Sequence, residues 1–239
     1  MHDHLNGIFL DTASFNLQVP NFDGSSEATR LFEKNLPLIA FHSIASLERI
    51  PVTYSQTLTI SRGYSVSDLS IKDLNRVHQY ILGLRMLSDF VRTGLFTLNS
   101  ETACQLHAIV AHYEVPDAGA LRKTKVIINN VAYLPPPPED LQAIADKGFQ
   151  YLRTIKDPKE QALGAFLFLT RNKLFEGANR RIAFLMMNGI LLSHGYSPLT
   201  ILQETRDNFE RKLVVFYETG NATPLVRFFE AHCMRLFGI

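Results

Sequence analysis

The feature that most constrains the fold of this chain is an apolar run from Ile182 to Ser193, hydrophobic on nearly every side of a helix. A helix that is apolar all round is stable in water only when other elements cover it. Up to Leu192 the run is about 11 residues, and Asn188 and Gly189 interrupt it, whereas a membrane span needs about 20. The sequence therefore predicts a central buried helix in a globular domain.

Apolar residues at helical spacing recur along most of the chain and predict further helices around that centre. Prolines mark helix ends, with Pro51 closing one helix and Pro158 opening another. Residues 57–64 instead predict a loop or a short extended piece, and His107 is expected to bond to the backbone at the edge of the core. The predicted helices cover residues 31–50, 67–87, 100–113, 139–152, 158–170 and 182–193, with two more between 200 and 237.

Residues 124–135, which we call the flap, differ in kind from the helical segments. A β-branched run is followed by Asn129-Asn130 and by a second extended run, which stops at Pro135 to Pro138. Because Asn tolerates a positive φ, the two asparagines suit a tight turn, and the pattern predicts one β-hairpin. The predicted fold class is therefore mainly α, a helical core with one β-hairpin flap.

The first 30 residues are weakly periodic and rich in Asp, Asn and Ser. Such a segment is expected to lie across the domain as an arm without a core of its own. We predict an N-terminal arm over 1–34, with a helical extension on the N-terminal side, and a single domain over 35–239. The N-terminus lacks a basic stretch followed by an apolar one, which predicts that there is no signal peptide.

Charge and composition exclude several classes of protein. Twenty-four Lys+Arg against 23 Asp+Glu give a net charge of +1, which excludes the strongly basic balance of a general nucleic-acid binder. Hydrophobic residues at 46% exclude disorder over most of the chain. Cys104 and Cys233 cannot form a disulfide framework or a four-cysteine zinc site. We expect a soluble, cytoplasmic protein without a nucleic-acid or membrane partner, and the sequence carries no signal for an oligomeric state.

The chemically informative segment is a polar interval between two very apolar helices, which begins at Arg171. Arg171 and Lys173 follow a helix C-terminus, where cations are favourable. Arg180 and Arg181 begin the next helix, whose dipole disfavours each of them by about 0.3–1 kcal/mol. The small residues Gly177-Ala178-Asn179 let backbone N–H groups approach a ligand closely. Either the segment binds an anion such as phosphate, or the arginines pair with acids elsewhere in the chain.

Residues 173–181, the motif loop, resemble the signature of the Fic/Doc (Fido) family. The signature reads His, any residue or Pro, Phe, any residue, Asp or Glu, Gly or Ala, Asn, Gly or Lys, Arg. The loop reads Lys-Leu-Phe-Glu-Gly-Ala-Asn-Arg-Arg. Gly119 to Arg122, Val126 to Ile128, Tyr133 and the four prolines also resemble the family's flap and its lead-in. The resemblance covers about residues 35–235 and implies a compact α-helical core with one β-hairpin.

The resemblance also implies chemistry on a nucleotide. Family members move AMP from ATP, or less often a phosphate, onto a hydroxyl of a target protein, which the hairpin aligns by strand addition. The implied ligand is ATP or another nucleotide, and the implied partner is a target protein. The nucleotide or phosphate contacts fall on Gly177, Ala178, Asn179, Arg180 and Arg181. The target-aligning contacts fall on Ile128, Asn129, Asn130 and Tyr133.

Two positions of the motif depart from the family. Lys173 stands where the family has its general-base His, and Gly177 stands where it has its Mg²⁺-binding acid. Lys173 and Glu176 are the remaining candidates for catalytic roles. No metal ligand is assigned, and the residues give little basis for an Mg²⁺ cofactor. Because general-base catalysis is typically worth about 10²–10⁴-fold, we expect weak or absent transfer activity.

Residues 44–50 resemble the autoinhibitory helix of many Fic proteins, and Glu48 occupies the position of the inhibitory Glu. The second arginine with which that Glu pairs in the family corresponds to Phe184. Glu48 is therefore expected either to inhibit by pairing with Arg180 or Arg181, or to be an ordinary acid on the helix surface.

Three functions remain open on the sequence alone, and with them the question whether the chain is an enzyme. The first is a divergent family member that binds a nucleotide or other phosphate, with weak or absent transfer of AMP or phosphate to protein hydroxyls. The second is an active, non-standard protein adenylyltransferase or phosphotransferase that uses Lys173 or Glu176 in altered roles. The third is a pure protein-interaction module whose arginines meet internal acids.

Overall fold

The computed structural model of the chain describes residues 5–9, 15–22 and 24–238. Over these residues the structure is mainly helical, which confirms the mainly α part of the predicted class. No helix in the described ranges is long and apolar enough to cross a membrane. The helices are α1 (Ser25–Leu47), α2 (Tyr54–Ser61), α3 (Ile71–Arg92), α4 (Ser100–Val110), α5 (Leu141–Leu152), α6 (Pro158–Asn172), α7 (Asn179–Ser193), α8 (Arg206–Thr219) and α9 (Thr223–Phe237).

The centre of the fold is the pair α6 and α7, two helices joined by the motif loop and packed along each other. Asp157 starts α6 by accepting hydrogen bonds from the N–H groups of Lys159 and Glu160, with Pro158 at the first helical position. As predicted, α7 is buried along nearly its whole length. Other helices enclose the pair. Edge-to-face aromatic contacts join α6, α7, α8 and α9 through Phe166, Phe184, Phe209 and Phe229.

The N-terminal part of the chain is built into this core. α1 begins at Ser25 rather than at the predicted Leu31, and it continues through Pro37 to Leu47. Leu5, Ile8 and Leu17 are buried, although they precede the first helix. Of the predicted arm, residues 1–4, 10–14 and 23 lie outside the described residues.

The prediction of a loop or extended piece over 57–64 is wrong, because α2 occupies Tyr54–Ser61. The Thr53 side chain accepts a hydrogen bond from the Gln56 N–H, and the Gln56 side chain accepts one from the Thr53 N–H. This capping box stabilises the first turn, and burial of Thr57 and Ile60 fixes the helix on the core. The capping box and the tertiary packing together favour a helix more strongly than the β-branched residues of the segment disfavour it.

The described residues of the flap form no strand ladder, so the β-hairpin stays a prediction. Asn129-Asn130 make the predicted turn, with Asn130 at φ 59°, and the Val131 N–H donates to the Ile128 carbonyl over 3.3 Å. At the base of the flap, the Arg122 guanidinium donates to the carbonyls of Thr124 and Pro136 over 2.8 and 2.5 Å. The Arg122 side chain therefore joins the two arms of the flap at their base. An isolated two-stranded ladder is only marginally stable, so such a side-chain contact helps to hold the arms together.

Candidate functional site

The motif loop connects the end of α6 to the start of α7 by a fixed turn. Lys173 ends α6 and Ala178 precedes α7, both in the left-handed conformation, at φ 49° and 55°. The Asn179 side chain closes the loop: its oxygen accepts from the Phe175 N–H over 2.9 Å, and its nitrogen donates to the Phe175 carbonyl over 2.7 Å. Among the described side chains none caps the N-terminus of α7, the kind of helix end at which backbone N–H groups can bind an anion.

A cavity of about 870 Å³ lies between the motif loop, the flap, α8 and the end of α1. It brings together ten of the residues singled out in the sequence: Glu48, Ile128, Asn129, Asn130, Lys173, Glu176, Gly177, Ala178, Asn179 and Arg180. Two others are not among its lining residues. Arg181 is buried, with 1% of its surface exposed, and Tyr133 lies against Arg171.

Arg181 is held by two carboxylates. Its NH1 and NH2 groups donate to Oε1 and Oε2 of Glu114 over 2.5 and 2.8 Å, and its Nε donates to Glu48 Oε1 over 3.0 Å. Arg76 also donates to Glu114, over 3.1 Å. Burial acts to raise the pKa of Glu114, but the hydrogen bonds and charges of Arg181 and Arg76 hold it below its usual range.

Arg180 is paired in the same way from the other side of the loop. Its guanidinium donates to Glu210 of α8 over 2.7 Å and to the Leu47 carbonyl at the end of α1. The charge of both motif arginines is therefore met by acids of the chain itself, which is the second alternative left open by the sequence. Through these contacts the start of α7 is joined to α1, α4 and α8.

Lys173 occupies the cavity wall next to Tyr217 of α8. Its ammonium group donates to the Tyr217 hydroxyl over 3.0 Å and lies 5.0 Å from the centre of that ring. Among the described residues no carboxylate lies within ion-pair distance of Lys173. Glu176 is exposed on the same loop and also lines the cavity.

Two buried arginines behind the loop contact carbonyl groups instead of acids. Arg122 donates from Nε to the Lys173 carbonyl over 2.6 Å, in addition to its two bonds at the base of the flap. Arg171 donates to the carbonyls of Asn6 and Tyr217 over 3.2 and 3.3 Å. Burial lowers the pKa of both guanidinium groups, yet both remain cations at neutral pH. The motif loop is thus backed by positive charge that no described carboxylate neutralises.

His107 supports the loop from α4, as expected for a histidine at the core edge. Its ring stacks on Phe175 with centroids 4.2 Å apart, and its Nδ1 accepts a hydrogen bond from the Gly119 N–H over 2.9 Å. Burial lowers the pKa of His107 to about 4, so the ring is neutral at pH 7. With Nδ1 as acceptor, the proton of the neutral ring is on Nε2.

The residues at the site do not fit an Mg²⁺ ion. The position of the family's metal-binding acid is Gly177, and its neighbour Glu176 is a single exposed carboxylate. In the described ranges, no group of three or more His, Cys, Asp or Glu side chains is placed to hold a metal. No step of the proposed function is therefore derived through a metal.

Four residues of the site were not assigned a site role from the sequence: Glu114, Glu210, Tyr217 and Arg171. Glu114 lies just past α4, while Glu210 and Tyr217 lie on α8, so chain distance gave no indication of their contact with the motif loop. Arg171 was explained by its place near the end of a helix. The flap, which is distant from Arg171 in the chain, offered no signal for the contact of Arg171 with Tyr133.

Comparison with known proteins agrees with the motif. A sequence model of the Fic/DOC family matches residues 97–191. Protein adenylyltransferase Fic of Culex quinquefasciatus is 26% identical over 198 residues, which cover 79% of this chain and 38% of the relative. The protein of the same name from Nematostella vectensis is 26% identical over 185 residues, covering 73% and 42%. The chain thus spans about two fifths of the length of these curated relatives.

Solved structures show the same fold. Fic-1 from C. elegans superposes with a TM-score of 0.71 and 26% identity, over 91% of this chain and 67% of the other. A Fic domain-containing signalling protein from Bacteroides thetaiotaomicron gives a TM-score of 0.71 and 21% identity, over 90% and 89%. IbpAFic2, in a structure covalently tethered to Cdc42, gives 0.58 and 16% over 91% and 66%. Residues 97–191 are therefore a Fic/DOC family domain, within a chain that has the fold of Fic proteins.

Proposed function

We propose that the cavity beside the motif loop binds a nucleotide, with ATP as the first candidate, or another phosphate compound. The observation that carries the proposal is the positive charge at the loop. Lys173 lines the cavity and contacts no described carboxylate, and neither do Arg122 and Arg171 behind the loop. The N-terminus of α7, also in the cavity wall, has no cap from a described side chain. A phosphate at this position would accept hydrogen bonds from the α7 backbone and from Lys173.

The proposed activity is weak or absent transfer of AMP or phosphate to protein hydroxyls. The family's base and metal-binding acid are replaced by Lys173 and Gly177. Lys173 is engaged with Tyr217, and Glu176 is exposed to solvent, so neither is arranged as an obvious substitute. The relatives are named adenylyltransferases, which supports ATP as the ligand to test first.

Glu48 is proposed to hold the site in a resting state. Its carboxylate bonds to Arg181 from the end of α1, where it also lines the cavity. A phosphate in the cavity would be repelled by this carboxylate, because both groups are anions and Glu48 lines the cavity. If Glu48 moved aside, Arg181 would keep its bidentate contact with Glu114, so its position need change little.

The flap is proposed to receive a segment of a partner protein. Ile127 and Leu134 are 77% and 72% exposed, whereas Val126, Ile128, Val131 and Tyr133 are half-buried. Between residues 125 and 134, the backbone bond described is that between Val131 and Ile128, which leaves N–H and carbonyl groups free for a partner strand. The structure of IbpAFic2 tethered to Cdc42 concerns another Fic protein with a protein partner.

Calorimetric titration of ATP, with and without Mg²⁺, tests the binding proposal. Loss of the Lys173 contact in Lys173→Met should weaken binding by about 10-fold, the value of one hydrogen bond to a charged group. The exposed Lys72 of α3 gives the matched control Lys72→Met, which should bind as wild type does. Glu48→Gln should bind more tightly than wild type, because the repelling carboxylate is gone.

A second reading of the site is a pure protein-interaction module, favoured by the internal pairing of Arg180 and Arg181. The absence of ATP binding at millimolar concentration in both wild type and Glu48→Gln would support this reading and overturn nucleotide binding. Transfer is tested separately with α- and γ-labelled ATP. Label from either position on protein would establish an active enzyme and overturn the proposed loss of activity.

A further inference from the structure

Arg171 joins three segments that are distant in the sequence. It lies at the end of α6, two residues before Lys173, and only 8% of its surface is exposed. Its guanidinium donates to the Asn6 carbonyl and to the Tyr217 carbonyl, and it lies 3.9 Å from the centre of the Tyr133 ring. The contacts come from the N-terminal part of the chain, from α8 and from the flap, and no described carboxylate takes part.

The N-terminal contact is made by a well-anchored segment, residues 5–9. Asn6 and Gly7 both have positive φ, at 56° and 76°, and this turn directs the Asn6 carbonyl at Arg171. The Asn6 side chain donates to Asn172 over 2.6 Å. Phe9 exchanges backbone bonds with the chain just after α8, donating to Gly220 and accepting from Ala222 over 2.9 and 2.8 Å. The segment therefore fixes the end of α6 from behind the motif loop.

The flap, in contrast, is held by side-chain contacts and not by a strand ladder. Arg122 joins its two arms at the base. Above the base, Tyr133 packs on the Arg171 guanidinium, a cation over the face of an aromatic ring. Because Arg171 is itself fixed by Asn6 and Tyr217, the Tyr133 contact ties the flap to the N-terminal segment.

We propose that Arg171 is a positioning residue that couples residues 5–9 to the flap. The turn at Asn6-Gly7 holds the guanidinium, the guanidinium holds Tyr133, and Tyr133 sets how closely the flap covers the cavity. A change in residues 5–9 should therefore alter the flap without touching it. This inference concerns the support of the cavity and does not rest on nucleotide binding, so the two proposals succeed or fail separately.

The chain contains no tryptophan, which allows a specific probe of the flap. Tyr133→Trp places a single indole on Arg171, and its quenching by acrylamide reports how far the flap opens. In this background Arg171→Met removes the cation, and Gly7→Ala strains the turn that presents the Asn6 carbonyl. Gly63→Ala is the matched control. Gly63, just past the end of α2, also has a positive φ, of 90°, but a Cβ added there would meet no other atom within 4 Å.

We expect quenching and tryptic cleavage after Lys125 to increase in Arg171→Met, the cleavage by about five-fold, as for loss of one cation–π contact. Gly7→Ala should change both in the same direction, and Gly63→Ala should leave both unchanged. If Arg171→Met fails to fold by circular dichroism, Arg171→Lys replaces it, since Lys keeps the charge but loses the planar fork. Unchanged quenching in the Arg171 variant, or equal effects of the two glycine variants, would overturn the coupling.

Discussion

Arg181 and Glu114 form a bidentate ion pair in the interior of the domain, 67 positions apart in the chain, with N–O distances of 2.5 and 2.8 Å. Glu48 and Arg76 extend the pair to a network of two cations and two anions. Although burial acts against its charge, the carboxylates of Glu48 and Glu114 raise the pKa of Arg181. The start of α7 is thereby held in place whether or not a ligand is bound.

Removing the guanidinium should destabilise the fold strongly. Arg181→Met removes the guanidinium that Glu48 and Glu114 share and leaves Glu114 with Arg76, and breaking a buried pair typically costs about 3–5 kcal/mol of unfolding free energy. Urea unfolding measures the loss, with Arg62→Met as the control, because Arg62 is an exposed arginine at the end of α2. Adding Glu114→Gln to Arg181→Met should recover part of the loss. Equal stability of the two single arginine variants would contradict the structural role.

Asn179 should be required for the shape of the motif loop. Asn179→Ala removes both bonds to Phe175 and should cost about 1–3 kcal/mol, since the Phe175 amide groups are then left without a partner. Asn179→Asp keeps the acceptor but loses the donor, so its loss should be smaller. Chemical denaturation compares both with Asn208→Ala, a change at an exposed position of α8. The loop prediction fails if Asn179→Ala is as stable as Asn208→Ala.

His107 should make the protein less stable as the pH falls. The pKa of His107 is about 4 in the folded protein against an ordinary value of 6.5, so between these values the unfolded chain binds a proton that the folded one does not. The contribution of His107 to the unfolding free energy is fully present above pH 6.5 and declines toward pH 4, by about 3 kcal/mol in all.

The variant His107→Gln isolates this effect, because Gln can accept the Gly119 hydrogen bond but does not titrate. Unfolding free energies at pH 7 and pH 5 should differ more for wild type than for His107→Gln. A pH dependence that is the same in both proteins would show that other groups are responsible.

Restoring the two missing motif residues should create labelling activity. Lys173→His together with Gly177→Asp supplies a general base and an acid, and His tolerates the left-handed backbone of position 173. General-base catalysis alone is worth about 10²–10⁴-fold, so transfer of α-label from ATP in the presence of Mg²⁺ should exceed wild type by a factor of that order.

The new side chain at position 177 needs space, which a further substitution at Val115 provides. A Cβ at position 177 would lie 3.2 Å from Val115 Cγ1, so Val115→Ala is added to a parallel variant. The single changes at 173 and 177 serve as controls and should label less than the double change. Unchanged, background labelling in all variants that still bind ATP would mean that the scaffold lacks more than these two groups.

Much of the fold followed from local patterns. The buried run of α7, the start of α6 at Pro158 and the Asn129-Asn130 turn were all predicted from residues close together in the chain. α2 was missed although its start signal, the Thr53 and Gln56 capping box, is local, because the prediction for this segment did not include these two residues. The bonds of Arg122 to the carbonyls at the base of the flap were not predicted, because Arg122 lies outside the predicted strands.

The sequence by itself determined most of the helices and the resemblance of the motif loop to the Fic/Doc signature, in which Lys173 and Gly177 stand at the positions of the family's base and acid. These features depend on residue types and on short spacings along the chain, both of which can be read directly from the sequence. Only the tertiary structure decided what the loop's cations contact. Arg181 meets Glu48 from 133 positions away, and Arg171 meets Asn6 from 165. Such pairs form because burial removes water from the charged groups and packing selects which partners lie within reach. Neither burial nor packing can be predicted from residues that are close together in the chain.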